Sequence, residues 1–271
     1  MIEALTLPLE LPFMQRALLI TTLVCIPMAL LSSFLVLKGW SLMGDAISHA
    51  ILPGVVVSFI AGIPLILGAF AAGMICALTT GYVAENSRVK EDTVMGVVFS
   101  AMFALGIVLY GLVETEVHLD HILFGNMLGV SNADVLTSGG IAAVVTAILM
   151  LKRRDFVVQV FDPTHGRAVG LDIPLLHLVM LSLIALSVVA ALTAVGLVLA
   201  ISLLIAPAAI ALLWSNRFGT ILTISVAVSV FSVWAGIYLS LTLDSAPAPT
   251  IVMVFSALFI GSFLRVSTTR A

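Results

Sequence analysis

Long apolar runs, separated by short polar interruptions, restrict what this chain can fold into more than anything else in its sequence. They extend roughly from Ala17 to Leu37, Ile47 to Ile60, Pro64 to Val83, Val94 to Leu112, Val135 to Leu151, Leu175 to Leu192, Gly196 to Leu213, Thr220 to Leu241 and Ile251 to Leu264. A hydrocarbon core about 30 Å thick is crossed by a helix of about 20 apolar residues. Inside lipid, backbone polar groups are satisfied only in helices or closed barrels. The runs lack the two-residue alternation of barrel strands. The expected fold is therefore all-α, a polytopic membrane protein with eight or nine transmembrane helices. Composition agrees, since a soluble domain with 62% hydrophobic and 9% charged residues would expose large apolar patches. No linker, low-complexity tract or repeat divides the chain, so a single membrane domain spanning residues 1–271 is expected.

The polar interruptions sort by charge. Arg88 and Lys90 share one, Lys152, Arg153, Arg154 and Arg167 another, Arg217 lies in a third, and Arg265 and Arg270 close the chain. Loops rich in lysine and arginine stay cytoplasmic, so these are expected inside. The alternate loops, one with Glu114, Glu116, His118, Asp120 and His121 and the other with Asp244, hold no basic residue and are expected outside. The N-terminal MIEALTLPLELPFMQRALL has neither a positive start nor a small-residue cleavage site, so no removable signal peptide is expected. Cys25 and Cys76 lie in apolar runs without CxxC or Cys/His spacing and are expected as buried packing thiols. A net charge of -3, with no basic stripe interleaved with aromatics, points to no nucleic-acid partner.

Against this background GDAISHAILPG, Gly44 to Gly54, stands out. Asp45 and His49 are four residues apart and would share one helix face. Ionisable side chains at membrane depth are costly unless they pair, meet water or bind something. A carboxylate with an imidazole is half of a divalent-metal site. Pro53 and Gly54 could distort the backbone and free a carbonyl. The alternative is a mutually satisfied pair that only locks helices together. The glycines Gly39 and Gly44 bracket a stretch that reads as a broken or re-entrant segment, the kind of irregularity that transporters place at substrate sites. The segment Glu116 to His121 could draw cations toward an outer mouth, or be an ordinary solvated loop. His165 and His177 are not assigned to metal. No HExxH helix, GxSxG elbow or GxxxxGK[ST] loop is present, so the chain is not expected to be an enzyme or to hydrolyse ATP itself.

The longest polar interruption, Lys152 to Pro174, carries a helix signature of its own. Asp162 suits the N-cap, Pro163 the first helical position and Gly170 the left-handed C-terminal cap. A two-turn cytoplasmic helix is expected there. Glu91 and Asp92 mark another helix start, where the macrodipole favours acidic side chains.

Taken together, KGWSLMGDAISHAILPGVVVSF (Lys38 to Phe59), SRVKEDTVMGVVFSAMFALGIVL (Ser87 to Leu109), HILFGNMLGVS (His121 to Ser131), FDPTHGRAVGL (Phe161 to Leu171) and AVGLVLAISLLIAPAAIALL (Ala194 to Leu213) resemble, in order, the ABC-type manganese, iron and zinc importer permeases. The resemblance implies a fold related to the type II ABC importer permeases, in the bacterial cytoplasmic (inner) membrane. It implies three kinds of partner: cytoplasmic ABC ATPase subunits, a periplasmic or lipoprotein metal-binding protein, and a second permease chain, identical or a sister. Asp45 and His49 match the family's metal-site positions. Asp162, Pro163, Thr164, His165, Gly166, Arg167, Ala168, Val169 and Gly170 match the place where such permeases insert a coupling helix, near 163–169, into the ATPase.

The implied cargo is a divalent metal, with no permanently bound cofactor. An oxygen and a nitrogen ligand without cysteine suit Mn2+, Fe2+ or Zn2+ and disfavour copper(I). The text around FMQRALLI and ENSRVKEDTVMG resembles the manganese and iron branch, so Mn2+ or Fe2+ is expected ahead of Zn2+. A secondary metal transporter that needs no ATPase is the rival expectation.

Overall fold

The structure, a computed structural model, describes residues 12–112 and 129–270, with side chains to residue 268. Among the described residues the chain forms α1 (Pro12–Lys38), α2 (Met43–Ala50), α3 (Leu52–Ala61), α4 (Leu65–Glu85), α5 (Glu91–Gly111) and α6 (Asn132–Leu151). It continues with α7 (Arg153–Phe161), α8 (Pro163–Ala168), α9 (Ile173–Val195), α10 (Leu197–Trp214), α11 (Phe218–Thr242) and α12 (Pro247–Arg270). Among the described residues nine stretches are long and apolar enough to cross a membrane, with α2 and α3 together making one, Met43–Ala61. The helix starts follow the local chemistry. Glu91 and Asp92 occupy the first turn of α5, and at α6 Ser131 and Asp134 cap each other's backbone N–H reciprocally. The break expected near Gly39 is present: α1 stops at Lys38, Gly39 takes a φ of +81°, and α2 begins at Met43. A left-handed φ favours glycine because it has no Cβ.

The helices sort into two compact units. One comprises Met1–Gly39, Leu119–Arg153 and Ala190–Ala271, and the other Trp40–His118 and Arg154–Val189. In lipid, apolar surface gives helices no hydrophobic reason to associate, so close packing and hydrogen bonds must hold them.

The first unit is built around α1, which packs against α6, α10 and α11. Phe34 of α1 meets Phe218 edge-on, with centroids 5.0 Å apart. Pro207 lies inside α10 and has no N–H to give the helical ladder. Ser32 reaches in from α1, donating to the Ile205 carbonyl at 3.4 Å and accepting from the Ala208 N–H at 3.3 Å. One rung along, Ser33 Oγ lies 3.1 Å from Ser225 Oγ of α11. These hydroxyls tie α1 to its neighbours at the point where α10 is interrupted.

In the second unit α3 and α4 cross backbone to backbone. A Cβ on Gly54 would overlap the Gly68 carbonyl and lie 2.6 Å from the Ala72 Cβ, and a Cβ on Gly68 would overlap Ser58 Oγ. Only glycine at both positions permits that approach, the small-residue packing that lets membrane helices touch along their main chains. The tight crossing holds α2 and α3 in place, and with them the residues described next.

Candidate functional site

Asp45 lies in the first turn of α2 and His49 one turn later. The acidic residue is favoured there by the helix dipole, and Ser48 ties its hydroxyl back to the Gly44 carbonyl at 2.6 Å. Ala46, Ile47 and Ala50 are buried, so α2 is anchored by its apolar positions. Asp45 and His49 remain partly open, at 29% and 26% exposure. Pro53 just beyond cannot donate to the His49 carbonyl four residues back, and the chain divides there into α2 and α3.

The two side chains come together as expected: His49 Nε2 lies 3.4 Å from Asp45 Oδ1. That exceeds an ordinary hydrogen bond of about 2.7 to 3.2 Å. It matches two adjacent ligands of one ion, since bonds of about 2.1 Å meeting at about 90 to 110° leave the ligand atoms about 3.0 to 3.4 Å apart. Among the described residues no third His, Cys, Asp or Glu joins them. The pair thus offers one oxygen and one nitrogen donor, with no third such side chain beside them among the described residues.

Two neighbours were not foreseen. The His49 ring stacks on Phe99 at 5.9 Å and 28°, and meets Phe103 edge-on at 5.1 Å and 78°. Its Nδ1 is buried without a hydrogen-bond partner. An unpartnered buried polar atom costs about 1 to 3 kcal/mol, so the ring is held there by its surroundings. The signal available in the sequence was the one-face spacing of Phe99, Phe103 and Gly106, which an apolar helix carries at many places by chance.

Of the remaining histidines, His165 donates its backbone N–H to Asp162 Oδ1 at 2.9 Å. His177 packs edge-on against Trp40 with centroids 5.1 Å apart. Neither joins Asp45. Glu114, Glu116, His118, Asp120 and His121 lie outside the described residues.

The second candidate element is α8. Asp162 caps it, Pro163 opens it, and Val169 and Gly170 close it. Gly170 has a φ of +85°. Its N–H bonds the Arg167 carbonyl at 3.1 Å and the Leu171 N–H reaches the Gly166 carbonyl at 2.9 Å, the paired bonds of a Schellman cap. Thr164, His165, Arg167 and Ala168 are exposed while Gly166 is buried. Phe161 and Val169, at the two ends, are more than half exposed. Before it runs α7, anchored by Phe156 and Gln159, for which the sequence carries no capping signal like that of α8.

The family model described as ABC 3 transport family matches residues 10–266. The chelated iron transport system membrane protein YfeD of Yersinia pestis is 49% identical over 257 residues, covering 95% of this chain and 86% of that protein. The manganese transport system membrane protein MntB of Synechocystis sp. is 42% identical over 253 residues, covering 93% of this chain and 83% of that one. A solved structure of PsaBC from Streptococcus pneumoniae in complex with Fab superposes with a TM-score of 0.87 at 33% identity, covering 97% of this chain and 95% of that chain.

Proposed function

The chain belongs to the ABC 3 transport family, and from that membership we propose that it is the membrane-spanning permease subunit of an ATP-driven importer of a divalent metal, Mn2+ or Fe2+, in a bacterial inner membrane. It is a transport subunit and not an enzyme. ATP is hydrolysed by a separate ABC ATPase chain, consistent with the missing phosphate-binding loop.

The Asp45 and His49 pair carries the proposal: an oxygen and a nitrogen donor held 3.4 Å apart on one helix face of the otherwise uncharged stretch Met43–Ala61. The ion is the cargo, and the two side chains are its stepping point. A periplasmic or lipoprotein metal-binding protein docks on the outer face and releases its ion to them. The remaining coordination comes from water or from a second permease chain, identical or a sister. On the cytoplasmic face α8 is the coupling helix. Its two caps make it a rigid peg, and exposed Phe161 and Val169 give an ATPase groove apolar surface to grip. The whole of residues 1–271 acts as one permease domain.

Cell-associated manganese, iron and zinc are measured by elemental mass spectrometry in a strain lacking its own importers, supplied with this permease, its ATPase and its binding protein. Manganese or iron should rise, and Asp45→Ala or His49→Ala should abolish the rise at normal membrane abundance. A rise in zinc alone would move the cargo to zinc. Uptake that persists with a catalytically dead ATPase would favour a secondary transporter.

A further inference from the structure

We infer that Phe99 and Phe103 are positioning residues of the metal site: they hold the His49 ring by aromatic contact in place of the hydrogen bond that usually orients a metal-binding histidine, and thereby keep the site weak enough to release its ion. The inference rests on the reading of Asp45 and His49 as ion-binding residues.

The placement follows from α5. Phe99, Phe103 and Gly106 recur at one-face spacing along it. A Cβ on Gly106 would sit 2.8 Å from Leu52 Cγ and 2.9 Å from the Pro53 nitrogen. The α5 main chain therefore lies directly against the Leu52 side chain and the Pro53 backbone where α3 begins. One and two turns back along α5, Phe103 and Phe99 fall beside His49, at centroid distances of 5.1 and 5.9 Å. One ring lies nearly parallel to the imidazole and the other edge-on, so both its tilt and its rotation are fixed.

The chemistry follows from what the rings do not supply. A neutral histidine that offers Nε2 to an ion carries its proton on Nδ1. In most metal proteins that N–H is donated to a carboxylate or carbonyl, which makes the ligand a stronger donor, and loss of the partner lowers metal affinity about 10- to 100-fold. His49 Nδ1 is sealed from solvent and meets no acceptor. The imidazole is thus aimed at Asp45 but left electronically plain. For a carrier that binds its ion in one half-cycle and drops it in the next, precise aim with modest affinity favours turnover.

The test uses the complete transporter in cells, with Mn2+ as the probe and initial uptake rates measured across concentration. Phe99→Leu and Phe103→Leu, made separately, should each raise KM about ten-fold at unchanged membrane abundance and ATPase association, and aromatic Phe→Tyr changes should restore it. Phe99→Gln or Phe103→Gln, which brings an amide oxygen toward Nδ1, should lower KM and maximal rate together. That paired decrease is not expected of a merely structural role. Leu variants with the parent's KM, while His49→Ala is inactive, would overturn the inference and leave the metal site standing. If His49→Ala itself transports like the parent, the proposed ion site fails first. The two positions are read independently, so a variant that does not assemble at one leaves the other to decide.

Discussion

Ser32 shows how one hydroxyl can bond the main chain of a helix that is not its own on both sides of a proline. Its bonds to the Ile205 carbonyl and the Ala208 N–H stand where Pro207 interrupts the ladder of α10. Membrane hydrogen bonds between helices average about 0.6 kcal/mol and reach about 1.7, and Ser32 makes two of them. Ser32→Ala should therefore lower the unfolding temperature of the detergent-purified protein. Ser202→Ala is the control and should leave it nearly unchanged, because that exposed hydroxyl bonds only the Val198 carbonyl of its own helix. Asp45 presents the opposite case. Asp45→Asn keeps the shape of the side chain and removes its charge, so folding should survive while metal uptake is lost, measured as uptake per unit of permease in the membrane.

At the scale of elements, α8 owes its form to its two ends. Loss of an N-cap costs about 1 kcal/mol, and a β-branched residue at a φ of +85° is strained. Asp162→Ala and Gly170→Val should each make the α8 amides exchange hydrogen faster, and should weaken co-purification of the ATPase while leaving the membrane helices intact. Those caps were legible in the sequence because Asp162, Pro163 and Gly170 are local signals. The eight or nine spans expected were legible for a related reason, since lipid demands long apolar runs. The break at Gly39 was announced by its glycine, and the facing of Asp45 and His49 by their spacing. What escaped were the contacts between distant segments. Ser32 does not advertise that it meets Ala208, 176 residues away, beside Pro207. Phe99 and Phe103 look like any lipid-facing aromatics until Gly106 brings α5 against α3. The helix α7 was missed because its only buried residues are Phe156 and Gln159, too few to set up a period. Ser131 and Asp134 form a capping pair that is local in sequence, like the caps of α8.

For the molecule as a whole, nine stretches among the described residues are long and apolar enough to cross a membrane. With each stretch crossing once, Lys38, between α1 and α2, shares a side with Arg88 and Lys90 and with the stretch from Lys152 to Arg167, as the positive-inside rule asks, while Arg16 at the start of α1 is the exception on the other side. Cysteines introduced at Ser87 and at Ala246 should therefore react oppositely with a membrane-impermeant maleimide: Ala246→Cys in intact cells or spheroplasts, and Ser87→Cys only after the membrane is opened. The native Cys25 and Cys76 are both at 0% exposure, which keeps the background low. A last consequence concerns the gene. Every single-base change of a glycine codon that alters the residue adds at least a methyl group, so Gly54 and Gly68, whose main chains already touch, have no permitted neighbour in mutational space. In a library of all single codon changes grown under metal starvation, those two sites should be the blank columns, while the lipid-facing positions of α4 beside Gly68 drift freely among apolar residues.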